Sequence, residues 1–238
     1  MKLSNITINC QQPADGRNIS RTYKIVECEI ETKSEEFQVL LKKANELANL
    51  VNSGAANDSS LSRHAGRKAN DAIMGVLSEE AWLQYINSKF GNIASYTNLT
   101  DIAAQIDLRL TNGEKLEIRS SYVRNGVQFA LCNNTYNFKN LGPYSNTIKP
   151  GEVQKDFYLC VLFDVDKDKL LNAPLIKFYL IGGSTWKMML DIGYNDALTP
   201  MDALVPVKST YKVIKLKDAL DVSQVLEDIS KRGYTIQT

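Results

Sequence analysis

A central mixed β-sheet flanked by helices, α/β or α+β in class, is the fold this sequence predicts, and three observations predict it. Two long stretches, 35–51 and 65–90, repeat apolar residues at helical spacing. Short alternating or unbroken apolar segments, bounded by Gly, Asn, Asp and Pro, read as strands both before and after those helices. A final strand and helix close the order, so strands and helices intermingle along one chain.

Taken in order, the chain begins with strands around Leu3–Cys10 and Thr22–Thr32 and an amphipathic helix over Glu35–Val51. In that helix Phe37, Leu40, Leu41, Ala44, Leu47, Ala48 and Val51 form a packing stripe. The small, polar run Asn52–Ser60 reads as a flexible loop. A second helix follows over Ala65–Phe90 and stops at Gly91. Strands are expected at Ile102–Leu110, Lys115–Ser121 and Val127–Cys132, then a long loop holding Gly142-Pro143-Tyr144 and Pro150-Gly151. An apolar strand at Phe157–Val165, a connection at Asp166–Leu171 and a strand at Leu175–Ile181 come next. Gly182-Gly183 reads as a packed turn into a short helix from Ser184 or Thr185, with Trp186 in the core. A Pro-containing loop, a strand at Thr210–Leu216 and a helix at Val222–Arg232 complete the chain. One domain over 1–238 is expected, with 1–62 decorating a core at 63–190 and a terminal strand and helix in 191–238.

Composition narrows the function classes. The chain is 44% hydrophobic and 23% charged, ordinary for a folded domain, and no apolar run reaches the length of a membrane span. Its start is polar and alternating rather than the apolar block of a secretory signal, so cytoplasm is the expected location, without membrane contact. A net charge of +1 offers no bulk argument for nucleic-acid binding, but leaves room for a local basic cleft. Cys10, Cys28, Cys132 and Cys160 contain no Cys-x-x-Cys pair and read as reduced packing residues. His64 is the single histidine, which excludes a two-histidine metal site; it reads as surface before the second helix.

Chemistry concentrates in one hairpin. Asn112-Gly113 is a turn signal between two alternating segments. A three-residue loop, Thr111-Asn112-Gly113 with Gly113 left-handed, pairs Leu110 with Glu114, sets Asp107 opposite Glu117 and Gln105 opposite Arg119. Leu108, Leu110, Leu116 and Ile118 then share one face; Asp107, Arg109, Lys115, Glu117 and Arg119 share the other. A two-residue loop would move Asp107 opposite Ile118. Opposed carboxylates repel, and a fold that specifies them commonly does so to hold a divalent cation. The bland alternative is a solvated face in which Arg109, Lys115 and Arg119 compensate the acids.

These residues, with the helix segment Gly75–Trp82 that carries Glu79 and Glu80 and the apolar segment Lys155–Phe163, resemble the PD-(D/E)xK nuclease superfamily, the fold of many type II restriction endonucleases. The resemblance covers roughly 75–181. It implies a restriction-endonuclease-like core, metal-dependent hydrolysis of DNA phosphodiester bonds, Mg²⁺ or Mn²⁺ as cofactor and a homodimer. Carried over by position, Asp107 and Glu117 are the metal ligands, and Glu79, with Glu80 as fallback, is the helix acid. Arg119 stands where the family usually has lysine. Arginine cannot act as a base, though it can stabilise charge on phosphate, and Lys115 is the nearest substitute ammonium on the same face. If that departure silences the site, the chain is an inactive nuclease-fold protein that binds nucleic acid or a protein partner. Basic and polar groups expected near DNA are Arg67, Lys68, Lys115, Arg124 and Asn125, with Arg63, Tyr122, Lys139 and Lys149 behind them.

Overall fold

The computed structural model describes residues 1–11, 14–50, 65–97, 106–144, 153–198 and 209–237. The fold is mixed α/β. One sheet has the strand order β1-β2-β8-β7-β5-β4-β3, with β11 added to β8. These strands are β1 (Lys2–Cys10), β2 (Arg21–Glu31), β3 (Ala94–Tyr96), β4 (Leu108–Leu110), β5 (Lys115–Tyr122), β7 (Phe157–Phe163), β8 (Leu175–Thr185) and β11 (Leu220–Asp221). β5 and β7 run parallel and the other pairs antiparallel. A smaller sheet holds β6 (Lys139–Tyr144), β10 (Ser209–Lys215) and β9 (Tyr194–Leu198) in that order.

Two apolar clusters lie on the faces of the large sheet, because paired strands direct alternate residues to opposite sides. One face buries Phe37, Leu40 and Ala44 of helix α1 (Glu35–Leu50), Ile73, Leu77, Trp82 and Ile86 of α2 (Ala65–Phe90), and Val225 and Ile229 of α5 (Val222–Lys231). The other buries Val127, Ala130 and Leu131 of α3 (Gly126–Cys132), Met189 of α4 (Trp186–Asp191), and Ile214 of the small sheet. Strand β7 is buried along its whole length, as a central strand covered on both faces must be. No described helix is long and apolar enough to cross a membrane.

Several expectations are corrected. Val127–Cys132 is helical, not extended: Val127, Ala130 and Leu131 meet the core at helical spacing, and a short apolar run does not distinguish the two periods. The Asp164 carboxylate accepts the Val127 N–H at 3.0 Å, which satisfies one donor in the helix's first turn. Gly142-Pro143-Tyr144 lies in strand β6 rather than a loop. β8 continues through Gly182-Gly183 to Thr185, and the helix begins after Thr185, whose hydroxyl accepts the Met188 N–H at 3.2 Å. Those glycines serve close packing: a Cβ on Gly182 would lie 2.1 Å from the Leu220 carbonyl, and one on Gly183 2.3 Å from the Tyr158 carbonyl. Cys10 and Cys132 are joined in a disulfide across a sequence separation of 122, not reduced, because the end of β1 and the end of α3 meet on one face. Cys28 and Cys160 are buried free thiols, as packing residues should be. The expected loop Asn52–Ser60, the strand portion 102–105 with Gln105, Pro150-Gly151, and the residues Arg63, His64 and Lys149 lie outside the described residues.

Candidate functional site

The hairpin sets the site. Leu108 pairs with Leu116 and Arg109 with Lys115, and Leu110 N–H donates to the Glu114 carbonyl at 2.9 Å. Gly113 has φ +91° and its N–H returns to the Leu110 carbonyl at 2.8 Å, the closed three-residue loop that the leucine pattern demanded. The loop is held from outside: Tyr234 Oη accepts the Asn112 N–H at 2.8 Å, and Arg232 forms an ion pair with Glu114.

Below Leu108 the ladder changes character. Asp107 N–H donates to the Leu116 carbonyl at 3.0 Å, while its own carboxylate accepts the Ile118 N–H at 2.6 Å. A side-chain oxygen thus takes the position of a strand carbonyl, and Asp107 is fixed beside Glu117 by a charge-assisted bond. Burial, then the negative charges of Glu79 and Glu117, hold the Asp107 carboxyl well above the usual carboxylate range, against the lowering effects of the Ile118 N–H and Arg119.

Glu117 is 2% exposed, so the solvated-face alternative fails for this residue. One carboxylate oxygen forms an ion pair with Arg119, and the other lies 3.2 Å from the ammonium of Lys155, which is fully buried. Lys155 lies two positions before β7, whose first residue, Phe157, pairs with Leu116 of β5, and its side chain reaches along β5 to Glu117. The ammonium beside Glu117 therefore comes from Lys155, a residue two positions before an unbroken apolar strand.

Helices α1 and α2 close the site from the other side. Glu79 lies 3.8 Å from Lys43 of α1, and burial, partly opposed by Lys43, lifts the Glu79 carboxyl to about 7. Burial lowers the Lys43 ammonium, while Glu79, Glu80 and Asp107 raise it in compensation; its charge also sits 3.3 Å from the centre of the Tyr96 ring. Glu80 accepts from the Tyr96 hydroxyl and, at 2.8 Å, from Gln84. The two helix acids differ in surroundings: the charge of Glu79 bears on Asp107, and Glu80 anchors Tyr96 of β3. Asn87 fixes the same edge by accepting the Ala94 N–H at 2.8 Å and donating to its carbonyl at 3.0 Å.

The structure brings together Glu79, Asp107, Glu117 and Arg119, and adds Lys43 and Lys155. Lys115 and Arg109 pair on the ladder, half-buried; Arg124 and Asn125 are exposed at the start of α3, away from this cluster in sequence and fold. Arg67 and Lys68 belong to α2, and their side chains lie outside the described residues. A lysine beside an apolar strand was the available signal for Lys155. Its use was hidden because only the parallel pairing of β5 with β7, a long-range fact, brings the start of β7 beside the hairpin and Lys155 within reach of Glu117.

A hard divalent cation fits the donor set. Glu117 is buried and Asp107 beside it half-buried, and Asp107 is a carboxyl that desolvation and neighbouring negative charge push toward holding a proton where a cation would serve. Among the described residues no group of three or more His, Cys, Asp and Glu side chains is arranged to hold a metal; Mg²⁺ commonly takes one or two carboxylates and completes its shell with water and substrate oxygens.

No protein-family model matches the chain, and no solved structure matches it. It is similar to an uncharacterized protein of Methanocaldococcus jannaschii, 23% identical over 207 residues that cover 73% of this chain and 74% of that one.

Proposed function

We propose that the chain is a metal-dependent endonuclease that hydrolyses DNA phosphodiester bonds, with Asp107 and Glu117 as the metal-holding carboxylates, in the manner of the PD-(D/E)xK superfamily it resembles. The observation that carries this reading is the buried cluster in which Asp107, fixed by the Ile118 N–H, meets Glu117 under Glu79, with Lys155 and Arg119 on the Glu117 carboxylate. Mg²⁺ or Mn²⁺ held by the two carboxylates would supply Lewis-acid activation of a water and neutralise charge on phosphate. The chain's own cations do the rest. Lys155 can orient the attacking water through its ammonium protons, and Arg119 can donate to the phosphate oxygens as charge develops. Lysine chemistry missing at position 119 would in this way be supplied by Lys155, two positions before β7. Cytoplasmic location and a homodimer that cuts both strands belong to the same proposal.

A second reading, binding without cleavage, is favoured by one observation: both Glu117 oxygens already face cations. Cleavage of supercoiled plasmid and linear duplex in Mg²⁺ or Mn²⁺ separates the two. The expected result is metal-dependent cutting by wild type that Glu117→Ala and Lys155→Met abolish and that Arg119→Lys tolerates. No cutting by wild type or by Arg119→Lys, with nucleic-acid binding retained, would refute the nuclease and leave the binding module.

A further inference from the structure

We propose that Lys43 of α1 is a fixed internal cation that holds Glu79 beside the hairpin in the place of a second metal ion, so that the carboxylates take up one divalent cation per chain; the inference rests on the metal reading above. Helical spacing supplies the residue. Glu36 and Lys43 stand two turns apart on α1 and so share a face, beside the buried Phe37, Leu40 and Ala44. That face meets α2: Gln84 donates to Glu36 at 2.9 Å and to Glu80 at 2.8 Å, and Lys43 lies 3.8 Å from Glu79. The stem of Lys43 stays partly exposed, but its ammonium nitrogen is shielded from solvent and makes no hydrogen bond among the described residues. Its charge is met instead by the Tyr96 ring, whose centre is 3.3 Å away, and by the Glu79 carboxylate.

Position ties this ammonium to the site. Tyr96 pairs with Leu108 across β3 and β4, next in sequence to Asp107, and its hydroxyl donates to Glu80. The ring under Lys43 is thereby fixed by both β4 and α2, and the burial of the ammonium is offset by three acids, Glu79, Glu80 and Asp107. Lys43 in turn opposes the burial that drives Glu79 toward its protonated form, and so favours the carboxylate. Contacts then divide the demand for positive charge. Glu117 meets Arg119 and Lys155, Glu79 meets Lys43, and the Asp107 carboxylate is held by a neutral donor, the Ile118 N–H. The charge still open to a cation is that of Asp107 beside Glu117, which suits one divalent ion. A second ion at Glu79 would face the Lys43 ammonium at close range in a weakly solvated place, where like charges repel strongly. Lys43→Met removes that obstacle and leaves the Glu79 carboxylate in need of a cation.

Calorimetric titration with Mn²⁺ at about pH 8, above the value of about 7 to which Glu79 is lifted, reads the number of ions held, which a purely structural lysine would not change. Wild type is expected to take up one equivalent, lost in Asp107→Ala. Lys43→Met should take up a second, Lys43→Met/Glu79→Gln should return to one, and Lys43→Arg should stay at one; melting temperatures of the metal-free proteins check that the variants are folded. Two equivalents in wild type, or one in Lys43→Met, would overturn the inference, as would a second ion in Lys43→Met that survives Glu79→Gln. No uptake by wild type overturns it together with the metal reading. Plasmid cleavage keeps the two apart: two equivalents in a wild type that cuts remove the role of Lys43 and leave the nuclease, whereas the expected counts in a protein that never cuts sustain Lys43 and remove the nuclease.

Discussion

Lys155→Met is the substitution that asks most of the proposed site. The Lys155 ammonium is fully buried and 3.2 Å from Glu117, which is 2% exposed. At that separation and an effective dielectric of about 20, the gross attraction is about 5 kcal/mol, opposed by a desolvation cost of several kcal/mol for each ion. The pair is thus nearly neutral as a unit, but breaking it is not. Removing the lysine leaves a buried carboxylate with Arg119, itself 21% exposed, still on its other oxygen. A cost at the low end of the range for broken buried pairs follows, about 3 kcal/mol, or a fall in melting temperature of roughly 6–12 °C for a chain this size. The double variant Lys155→Met/Glu117→Gln should recover most of that loss, because both charges are gone. Differential scanning fluorimetry with urea titration reads both effects. On the proposed reaction, plasmid cleavage should fall about 10²–10⁴-fold in both variants, the range for a lost proton-handling group. A Lys155→Met protein that melts with wild type, or that is not rescued by neutralising Glu117, would refute the buried pair itself, whatever the function.

Three more tests follow from the same coordinates. Reduction of the Cys10–Cys132 disulfide, or Cys132→Ser, releases a loop with a sequence separation of 122, and the chain-entropy relation gives an upper cost of about 5 kcal/mol; equal urea midpoints with and without reductant would count against the bond. Glu79, lifted by burial to about 7 from 4.5, favours its protonated form in the fold, so its contribution to stability is complete below about 4.5 and lost as pH rises through about 7. The melting temperature of metal-free protein should fall between pH 5 and 8, and Glu79→Gln should flatten that dependence; an unchanged slope would mean Glu79 is not buried. Gly183→Ala would force a Cβ to 2.3 Å from the Tyr158 carbonyl and should destabilise the fold by several kcal/mol in urea denaturation, whereas Gly113→Ala, with open space but φ +91°, should cost only about 1 kcal/mol.

The hairpin was legible because its information is local. Alternating leucines and one Asn-Gly dictate the loop length, and the loop length dictates which residues share a face. The helix stop at Gly91, φ +78°, was legible for the same reason. Elements misread were those whose conformation is decided at long range. Val127–Cys132 is apolar in a way either a strand or a helix can use, and only the partner surface chooses. The edge strands β3 and β9 are short and lack a strong pattern; pairing with β4 and β10 makes them strands. Gly182-Gly183 reads as a turn from composition, yet serves an approach of backbones that only the assembled sheet reveals. The disulfide and Lys155 are the extreme cases: each depends on contacts between distant segments. Lys43 was concealed differently, as a polar residue beside the packing stripe of α1, where helical periodicity supplies no reason to single out one lysine.

The charges at the site constrain how cleavage and binding can be coupled. Around the hairpin, three carboxylates, Glu79, Asp107 and Glu117, face three cations, Lys43, Arg119 and Lys155. With formal charges balanced, the cluster alone gives a polyanion little net attraction, and a bound divalent cation tips it toward the phosphate. The affinity for a DNA duplex gained on adding Ca²⁺, a cation of similar ligand preference that generally supports binding better than cleavage, should therefore vanish in Asp107→Ala. Titrations of wild type and Asp107→Ala with and without Ca²⁺ read that gain. A metal-induced gain that survives Asp107→Ala would place the cation somewhere other than the hairpin, and the hairpin would then be a buried ion network that organises the sheet rather than a catalytic one.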